Sequence, residues 1–349
     1  MHTANPRVVG RRRSLVLGTA LTLALALSAC TSGQAETPTG SPSGATKSGP
    51  ITITFLQKQG DQQYFVDEAN GAKAAAKELG NVTVKVVDLG TDAAKAISQV
   101  DLAVSQKTDG IVIVVPDQKI GPQVISAAKD AGIPLMAADD TISDASGAAA
   151  PFAGFDGTAM GNLVGKEAAA LYLKSGWTAA DTRVISAYKQ DLATCKDRTT
   201  GAADAFTKAL GGKEGPKVID IGTDNSATDA QNKAGAVITG NSNVKHWVVW
   251  GCNDESETGV VTALQNSGVV AENINGVGLG AYLTCKDWNA GQTTGNKSSL
   301  FISGIEVGKA ALTSIVALIR NGTPLPAKSI AKTAIVNSTN WKEAGVICT

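Results

Sequence analysis

The sequence predicts an α/β fold of two similar lobes, each a doubly wound parallel sheet covered by helices. Short apolar runs rich in β-branched residues alternate with alanine-rich helical patterns from residue 51 onwards. The run Gly-Ile-Val-Ile-Val-Val at residues 110–115 is apolar throughout, as expected of a central parallel strand buried on both faces. The alternation occurs in two successive sets, and strict alternation of this kind implies parallel sheets with right-handed crossovers.

The first set of elements predicts one lobe. Its strands are expected at residues 51–56, 82–89, 110–115 and 133–138, and its helices at residues 62–79, 92–106 and 120–131. Gly80 follows the first helix and is expected to end it. Asp92 stands at the start of the second and is predicted to cap it.

The second set predicts the other lobe. Its strands are expected at residues 183–188, 217–221, 246–250 and 276–279, and its helices at residues 160–173, 199–210, 227–239 and 257–265. One long helix is then expected at residues 303–320, before Pro324 and Pro326, because proline cannot continue a helix.

The first 30 residues have the parts of a secretory signal. Three arginines at 11–13 precede an apolar run at residues 15–27, which is shorter than the roughly 20 residues that span a bilayer as a helix. The run leads into Leu-Ser-Ala-Cys, which resembles a bacterial lipobox and implies cleavage before Cys30 and diacylation of its sulfur. We therefore predict a lipoprotein signal peptide at residues 1–29; a plain signal peptide, a retained membrane anchor and twin-arginine export are the alternatives.

The segment at residues 30–50 is predicted to be a flexible tether. It consists almost entirely of Thr, Ser, Gly, Pro and Ala, and such a composition buries too little apolar surface to offset the entropy lost on ordering. A tether after a lipidated cysteine would let the folded lobes move above a membrane surface.

The charge of the chain argues against nucleic acid as a partner. The whole chain has 31 basic and 31 acidic residues; residues 1–30 hold four of the basic residues and none of the acidic ones, so the remainder carries a formal net charge of −4. A mildly acidic chain without a long basic run lacks the positive surface that phosphate backbones require.

Four cysteines remain if Cys30 is lipidated. They are Cys195, Cys252, Cys285 and Cys348. An even number in an exported protein favours two disulfides, but spacing leaves all three pairings open. There is no Cys-x-x-Cys pair and no run of alternating oxygen ligands, so we predict neither a zinc nor a calcium site.

Polar side chains follow many of the predicted strands, where ligand sites of open α/β sheets lie. These residues are Lys58, Gln59, Asp61, Gln62, Tyr64, Asp117, Asp139, Asp140, Asp191, Thr194, Arg198, Asn253, Asp254 and Tyr282. The chain has no Gly-x-Ser-x-Gly and no His-Glu-x-x-His motif, so the pattern indicates binding rather than catalysis.

This set of side chains suits a neutral, polyhydroxylated ligand. Carboxylates accept hydrogen bonds from hydroxyls, and Lys, Arg and Asn donate them. Aspartates and basic residues would balance one another across a cleft, and the Tyr64 ring could stack on a pyranose. Taken singly, the residues also have structural interpretations. These are caps for Asp139, Asp140 and Asn253, core packing for Tyr64, a solvated strand end for Lys58 and a surface position at a helix start for Arg198.

Five segments together resemble one family. They are LQKQ at 56–59, VPDQKIG at 115–121, Ala138-Asp139-Asp140, RTTG at 198–201 and VKHWVVWGCND at 244–254. In this order they resemble the sugar-binding proteins of ABC importers, the type I periplasmic binding proteins, and above all the L-arabinose-binding proteins. The resemblance covers nearly all of residues 51–349 and implies a two-lobed, hinge-closing receptor without catalysis or cofactor.

The resemblance also implies a set of ligand-binding residues. They are Lys58, Gln62, Tyr64, Asp139, Asp140, Thr194, Arg198 and Asn253. The family's acid falls at Gln62, its tryptophan at Tyr64, its methionine at Cys252 and its second asparagine at Gly280. Because of these departures the sugar stays open between pentose, hexose and polyol.

The same resemblance implies the covalent and domain organisation. It favours disulfides Cys195–Cys252 and Cys285–Cys348. The N-terminal lobe is expected to comprise residues 51–155 and 303–329, and the C-terminal lobe residues 156–302 and 330–349. The multi-segment hinge between them is expected near Phe155, Ser303 and Ser329.

The sequence as a whole predicts an extracytoplasmic, lipid-anchored, monomeric receptor that passes a monosaccharide to an ABC permease. A sensor that presents sugar to a chemoreceptor or kinase is the main alternative. A transcription factor of the same fold is disfavoured by the export signal and by the lack of a basic helix-turn-helix. A glycosidase is disfavoured because Asp139 and Asp140 are adjacent, whereas glycosidase carboxylates flank the scissile bond.

Overall fold

Two six-stranded sheets organise the part of the protein that the computed structural model describes, residues 46–348. The predicted signal peptide, Cys30 and most of the predicted tether lie outside the described residues. Within the described range, no helix is long and apolar enough to cross a membrane.

The first lobe is built mainly from the N-terminal half of the described chain. Its strands are β1 (Ile51–Lys58), β2 (Val82–Gly90), β3 (Gly110–Ile113), β4 (Leu135–Ala138) and β5 (Phe152–Gly154), and its helices are α1 (Gln63–Leu79), α2 (Ala93–Ser105) and α3 (Gly121–Asp130). Asp92 caps α2 by accepting a hydrogen bond from the backbone N–H of Lys95.

The second lobe follows. Its helices are α4 (Gly157–Ser175), α5 (Ala193–Ala209), α6 (Ala227–Gly240), α7 (Asp254–Asn266) and α8 (Thr284–Asn289), and its strands are β6 (Thr182–Tyr188), β7 (Lys217–Gly222), β8 (His246–Gly251), β9 (Ile274–Gly280) and β10 (Asn296–Phe301). The chain then forms α9 (Gly304–Asn321), β11 (Lys328–Ile330) and β12 (Ala334–Asn337).

The strand order shows two doubly wound sheets. The first sheet has the order β11-β5-β4-β3-β1-β2 and the second β12-β10-β9-β8-β6-β7. All pairings in the first sheet are parallel, and in the second only β12, at the edge, runs antiparallel to its neighbour. The prediction of two parallel α/β lobes is therefore confirmed.

Several elements differ from those expected. Strands β5, β10, β11 and β12 and helix α8 were not predicted, because they are short or, like Asn-Lys-Ser-Ser-Leu-Phe in β10, polar for a strand. Helix α5 begins at Ala193, six residues before the expected start. The residues before Thr199 in this helix show no apolar periodicity, so the sequence pattern does not indicate its first turns.

The chain crosses between the sheets three times. The crossings are residues 155–156 after β5, residues 302–303 after β10, and residues 331–333 between β11 and β12. The expected division between residues 329 and 330 thus falls inside β11. A buried apolar cluster includes Phe155 and Ile302 and continues into both lobes.

Candidate functional site

A cavity of about 550 Å³, including the space at its mouth, lies between the lobes beyond the carboxyl ends of the strands. All eight residues that the resemblance implies for ligand binding line it: Lys58, Gln62, Tyr64, Asp139 and Asp140 from the first lobe, and Thr194, Arg198 and Asn253 from the second.

A buried ion pair forms one wall of this cavity. Lys58 ends β1, and its Nζ lies 2.7 Å from Oδ2 of Asp140. The Thr194 hydroxyl donates to the other oxygen of Asp140 at 2.7 Å. Burial alone would raise the pKa of Asp140, but the Lys58 ammonium and the Thr194 hydroxyl hold it below the usual value. Asp140 is therefore an ionised acceptor held by both lobes.

The neighbouring Asp139 has a different environment. Its backbone has a φ of 56°, a left-handed conformation that aspartate tolerates better than most residues. Its Oδ1 accepts a hydrogen bond from the Tyr64 hydroxyl at 3.1 Å and lies 3.6 Å from Nη2 of Arg198. Burial, then the charge of Asp140, raises the pKa of Asp139, and Arg198 opposes the rise. No group in the described chain donates to its Oδ2, which leaves that oxygen for a ligand.

Helix α5 delivers two site residues from the second lobe. Thr194 and Arg198 stand four residues apart, so they share one face of the helix. Because α5 begins at Ala193, Arg198 lies in its second turn and is buried rather than standing at the helix start. Its Nη1 donates to the carbonyl oxygen of Cys252 at 3.2 Å. Its buried Nε has no partner among residues 46–348, so the guanidinium keeps a donor for a ligand oxygen.

Helix α4 sets the position of α5. Gly161 of α4 faces the backbone of Arg198, where an added Cβ would overlap the Arg198 carbonyl oxygen. Gly165 meets the Ala202 carbonyl in the same way. The two helices thus approach at backbone distance, which fixes how far Arg198 reaches towards the cavity.

Two disulfides lie in the second lobe, Cys195–Cys252 and Cys285–Cys348, as the resemblance implies. The first joins the start of α5 to the residue after β8, and Cys252 itself lines the cavity. It therefore connects the two segments that carry Arg198 and Asn253. The second ties α8 to the C-terminal segment, away from the cavity lining.

Asn253 combines a structural role with its place in the cavity. It caps α7, its Oδ1 accepting from the backbone N–H of Ser256 at 3.1 Å. Its Nδ2 donates to the Asn225 carbonyl at 2.9 Å and to Oε2 of Glu255 at 2.7 Å. The N-cap interpretation therefore holds alongside the position in the cavity wall.

Aromatic rings close one side of the cavity. Tyr64 and Tyr282, one from each lobe, meet edge to face with ring centroids 6.0 Å apart. The Tyr282 hydroxyl accepts from the backbone N–H of Gly304 at 3.3 Å, next to a hinge crossing. The two rings add apolar surface to the cavity lining, while the Tyr64 hydroxyl also bonds Asp139.

Glu68 is a fully buried carboxyl in α1, close to these charges. Neither of its oxygens has a hydrogen-bond partner within residues 46–348. Burial, followed by the charges of Asp139 and Asp140, raises the pKa of Glu68 well above its usual range, and Lys58 opposes the rise only in part. The environment of Glu68 therefore favours the protonated, neutral form of its carboxyl.

Some residues that line the cavity were not predicted from the sequence, and some polar residues at predicted strand ends lie outside the cavity lining. Asn225 follows β7, so the strand-end rule could have found it. Glu255 stands in the first turn of α7, where an acid is unremarkable. Asp117 and Asp191 do not line the cavity. No group of metal-ligating side chains is present in the described part of the chain.

Comparison with known proteins agrees with this architecture. The family profile described as periplasmic binding protein domain matches residues 53–323. The chain is 29% identical over 311 residues to an ABC transporter L-arabinose-binding periplasmic protein of Azospirillum brasilense, covering 87% of this chain and 92% of that one. It is also 29% identical over 257 residues to the L-arabinose-binding periplasmic protein of Escherichia coli K12, covering 72% and 77%.

A solved structure has the same fold. It is an ABC transporter solute-binding protein from Agrobacterium vitis bound to α-D-tagatopyranose, and it matches with a TM-score of 0.73 and 21% identity. The match covers 85% of this chain and 97% of that one.

Proposed function

The chain belongs to the periplasmic binding protein family, and we propose that it captures a monosaccharide in the cavity between its lobes and delivers it to an ABC transporter permease. The names of the two relatives support this proposal, since both are L-arabinose-binding proteins. The ligand class is a neutral pentose, hexose or polyol.

One observation carries the proposal: two buried ion pairs, Lys58–Asp140 and Arg198–Asp139, face a single cavity from both lobes. The two pairs are neutral in sum, so a neutral ligand leaves none of these four charges without its partner. They still offer charge-assisted hydrogen bonds to ligand hydroxyls, through Nε of Arg198, which is unpartnered in the described chain, and through Oδ2 of Asp139, since the contacts of Asp139 use its Oδ1.

We propose that ligand binding closes the lobes. A sugar that contacts Lys58 and Asp139 on one lobe and Arg198 on the other binds the closed arrangement better than the open one, and only such a difference in affinity shifts the equilibrium. The three crossings at residues 155–156, 302–303 and 331–333 would absorb the backbone rotation.

Calorimetric titration of the purified protein tests this function. The protein is first unfolded and refolded to remove carried-over ligand, then titrated with L-arabinose, D-tagatose, D-allose and myo-inositol. We expect micromolar or tighter binding of at least one sugar, lost in Arg198→Ala. Failure of a well-folded protein to bind any of them would overturn the proposal.

We also propose that Cys30 is diacylated and anchors a monomeric receptor outside the cytoplasm. The basic start, apolar run and Leu-Ser-Ala-Cys sequence of residues 11–30 support this. Mass spectrometry of the mature protein should find a lipid-modified N-terminal Cys30. In Cys30→Ser the protein should leave the membrane fraction; retention there would contradict the anchor.

A further inference from the structure

Among the described residues that line the cavity, Glu255 is the one carboxylate that has neither a cation beside it nor several hydrogen-bond donors. The charged residues that line the cavity are Lys58, Asp139, Asp140, Arg198, Asp254 and Glu255. The first four form the two ion pairs described above. Asp254 and Glu255 belong to neither ion pair.

Asp254 is satisfied by its own lobe. It accepts hydrogen bonds from the backbone N–H groups of Leu283 and Thr284 and from the Ser299 hydroxyl. Burial raises the pKa of Asp254, but these donors favour its ionised form. Its contacts are structural, since they hold the segment after β9 against α7.

Glu255 lacks such support. It forms no salt bridge with any residue that the structure describes. The Asn253 amide donates to its Oε2 at 2.7 Å, and no side chain of residues 46–348 donates to Oε1. Glu255 is partly buried, and besides its own backbone N–H it has one amide donor, so the carboxylate can accept a further hydrogen bond.

The position of Glu255 indicates which group could donate this further hydrogen bond. It lines both the cavity and the groove at the cavity mouth, as do Gln62 and Tyr282. Gln62 belongs to the first lobe and Glu255 to the second. A ligand held by the two ion pairs therefore has its outer end between Gln62 and Glu255.

Burial and, to a smaller extent, the surrounding charges make this carboxyl sensitive to pH near neutrality. Burial, then the charge of Asp254 and, from the first lobe, that of Asp61, raises the pKa of Glu255 to about 7. Tyr282 and Lys286, from the segment after β9, also face the groove. The Tyr282 hydroxyl stays neutral in this range because burial raises its pKa.

We infer that Glu255 is a ligand-binding residue that accepts a hydrogen bond from a hydroxyl at the outer end of the bound sugar, and that it makes sugar affinity depend on pH. The inference rests on the proposed sugar-binding function. A hydroxyl donates to the ionised carboxylate, so binding favours the ionised form and releases a proton. Sugar affinity therefore rises as the pH rises through about 7.

The experiment is a set of calorimetric titrations at pH 6, 7 and 8 with L-arabinose, D-tagatose, D-allose and myo-inositol. If only the ionised form binds, affinity of the natural protein should increase about tenfold between pH 6 and pH 8. Titration at pH 7 in buffers of different ionisation enthalpy should show proton release. In Glu255→Gln the affinity should be flat with pH and about tenfold weaker at pH 8.

Two further variants isolate the effect. Glu343→Gln makes the same chemical change at an exposed glutamate outside the cavity lining, and its pH profile should match the natural protein. Asp61→Asn removes a charge that raises the pKa of Glu255, so the midpoint of the profile should move to lower pH. This shift would not follow if Glu255 were only structural.

The outcomes separate the two proposals. If a sugar binds but Glu255→Gln keeps the affinity and pH profile of the natural protein, this inference is wrong and sugar binding stands. Affinity that falls with rising pH would also overturn it. If no sugar binds at any pH, the proposed function fails and this inference fails with it.

Discussion

The Thr194 hydroxyl donates to Oδ1 of Asp140 at 2.7 Å, and this bond joins the two lobes inside the cavity. On its other oxygen Asp140 is held by Lys58 of its own lobe. The interlobe bond thus ends on a carboxylate that is already fixed and ionised, so it favours one relative position of the lobes.

Thr194→Val should weaken sugar binding at least about tenfold, because hydrogen bonds to charged groups contribute about 1.5–3 kcal/mol. The substitution keeps the side-chain shape and removes the donor to Asp140. Calorimetric titration with the tightest-binding sugar measures the change. Thr239→Val is the control, since the Thr239 hydroxyl donates to the Gly235 carbonyl within α6. Equal affinity in the two variants would contradict the role of the interlobe bond.

Gly161→Ala should reduce both stability and sugar affinity. The new methyl group would overlap the Arg198 carbonyl, so α5 must move away from α4. Overpacking of this kind costs about 1–3 kcal/mol. Denaturant unfolding and sugar titration measure the two effects.

Gly235→Ala is the matched control for Gly161→Ala. Gly235 lies in α6 with no atom within 4 Å of an added Cβ. Alanine there should stabilise the protein by about 0.5–1 kcal/mol and leave sugar affinity unchanged. If Gly161→Ala binds sugar as the natural protein does, close packing of α4 on α5 does not position Arg198.

The two disulfides should differ in their effect on binding. Removal of either, in Cys195→Ser with Cys252→Ser or in Cys285→Ser with Cys348→Ser, should lower the free energy of unfolding by about 2–4 kcal/mol. Only the first pair joins segments of the cavity wall. Sugar affinity should therefore fall several-fold in the first double variant and stay unchanged in the second. The reverse order would show that the cavity does not depend on the Cys195–Cys252 bridge.

Glu68→Gln should make the protein more stable at high pH. The pKa of Glu68 is raised in the folded state, chiefly by burial, so folding takes up a proton above the unfolded pKa. As the pH rises from the unfolded to the folded pKa of Glu68, the free energy of unfolding therefore falls by about 1.4 kcal/mol per pH unit. Glutamine does not titrate, so the free energy of unfolding of Glu68→Gln does not fall for this reason.

Unfolding by urea between pH 5 and pH 8 measures the Glu68 effect. The stability of the variant relative to the natural protein should increase with pH. A constant difference would mean that Glu68 is already ionised in the folded protein.

Elements that are buried on both faces could be predicted from the sequence, and elements buried by distant segments could not. Strand β3 was predictable because both of its faces are covered, so its residues are all apolar. Strand β10 was not, because Ser298 and Ser299 are buried by neighbours distant in sequence. Arg198 was expected at the start of its helix because the first turn of α5 has no apolar period.

The sequence by itself determined the two parallel-sheet lobes and identified polar residues that line the cavity. It did so because strand alternation, apolar periodicity and strand-end polarity are local properties of the chain. Only the tertiary structure decided which aspartate pairs with Lys58 and which with Arg198, that Glu68 is buried without a hydrogen-bond partner in the described chain, and that Glu255 has no salt bridge there. These depend on distances and burial between segments far apart in sequence, and electrostatic energies are set by those quantities.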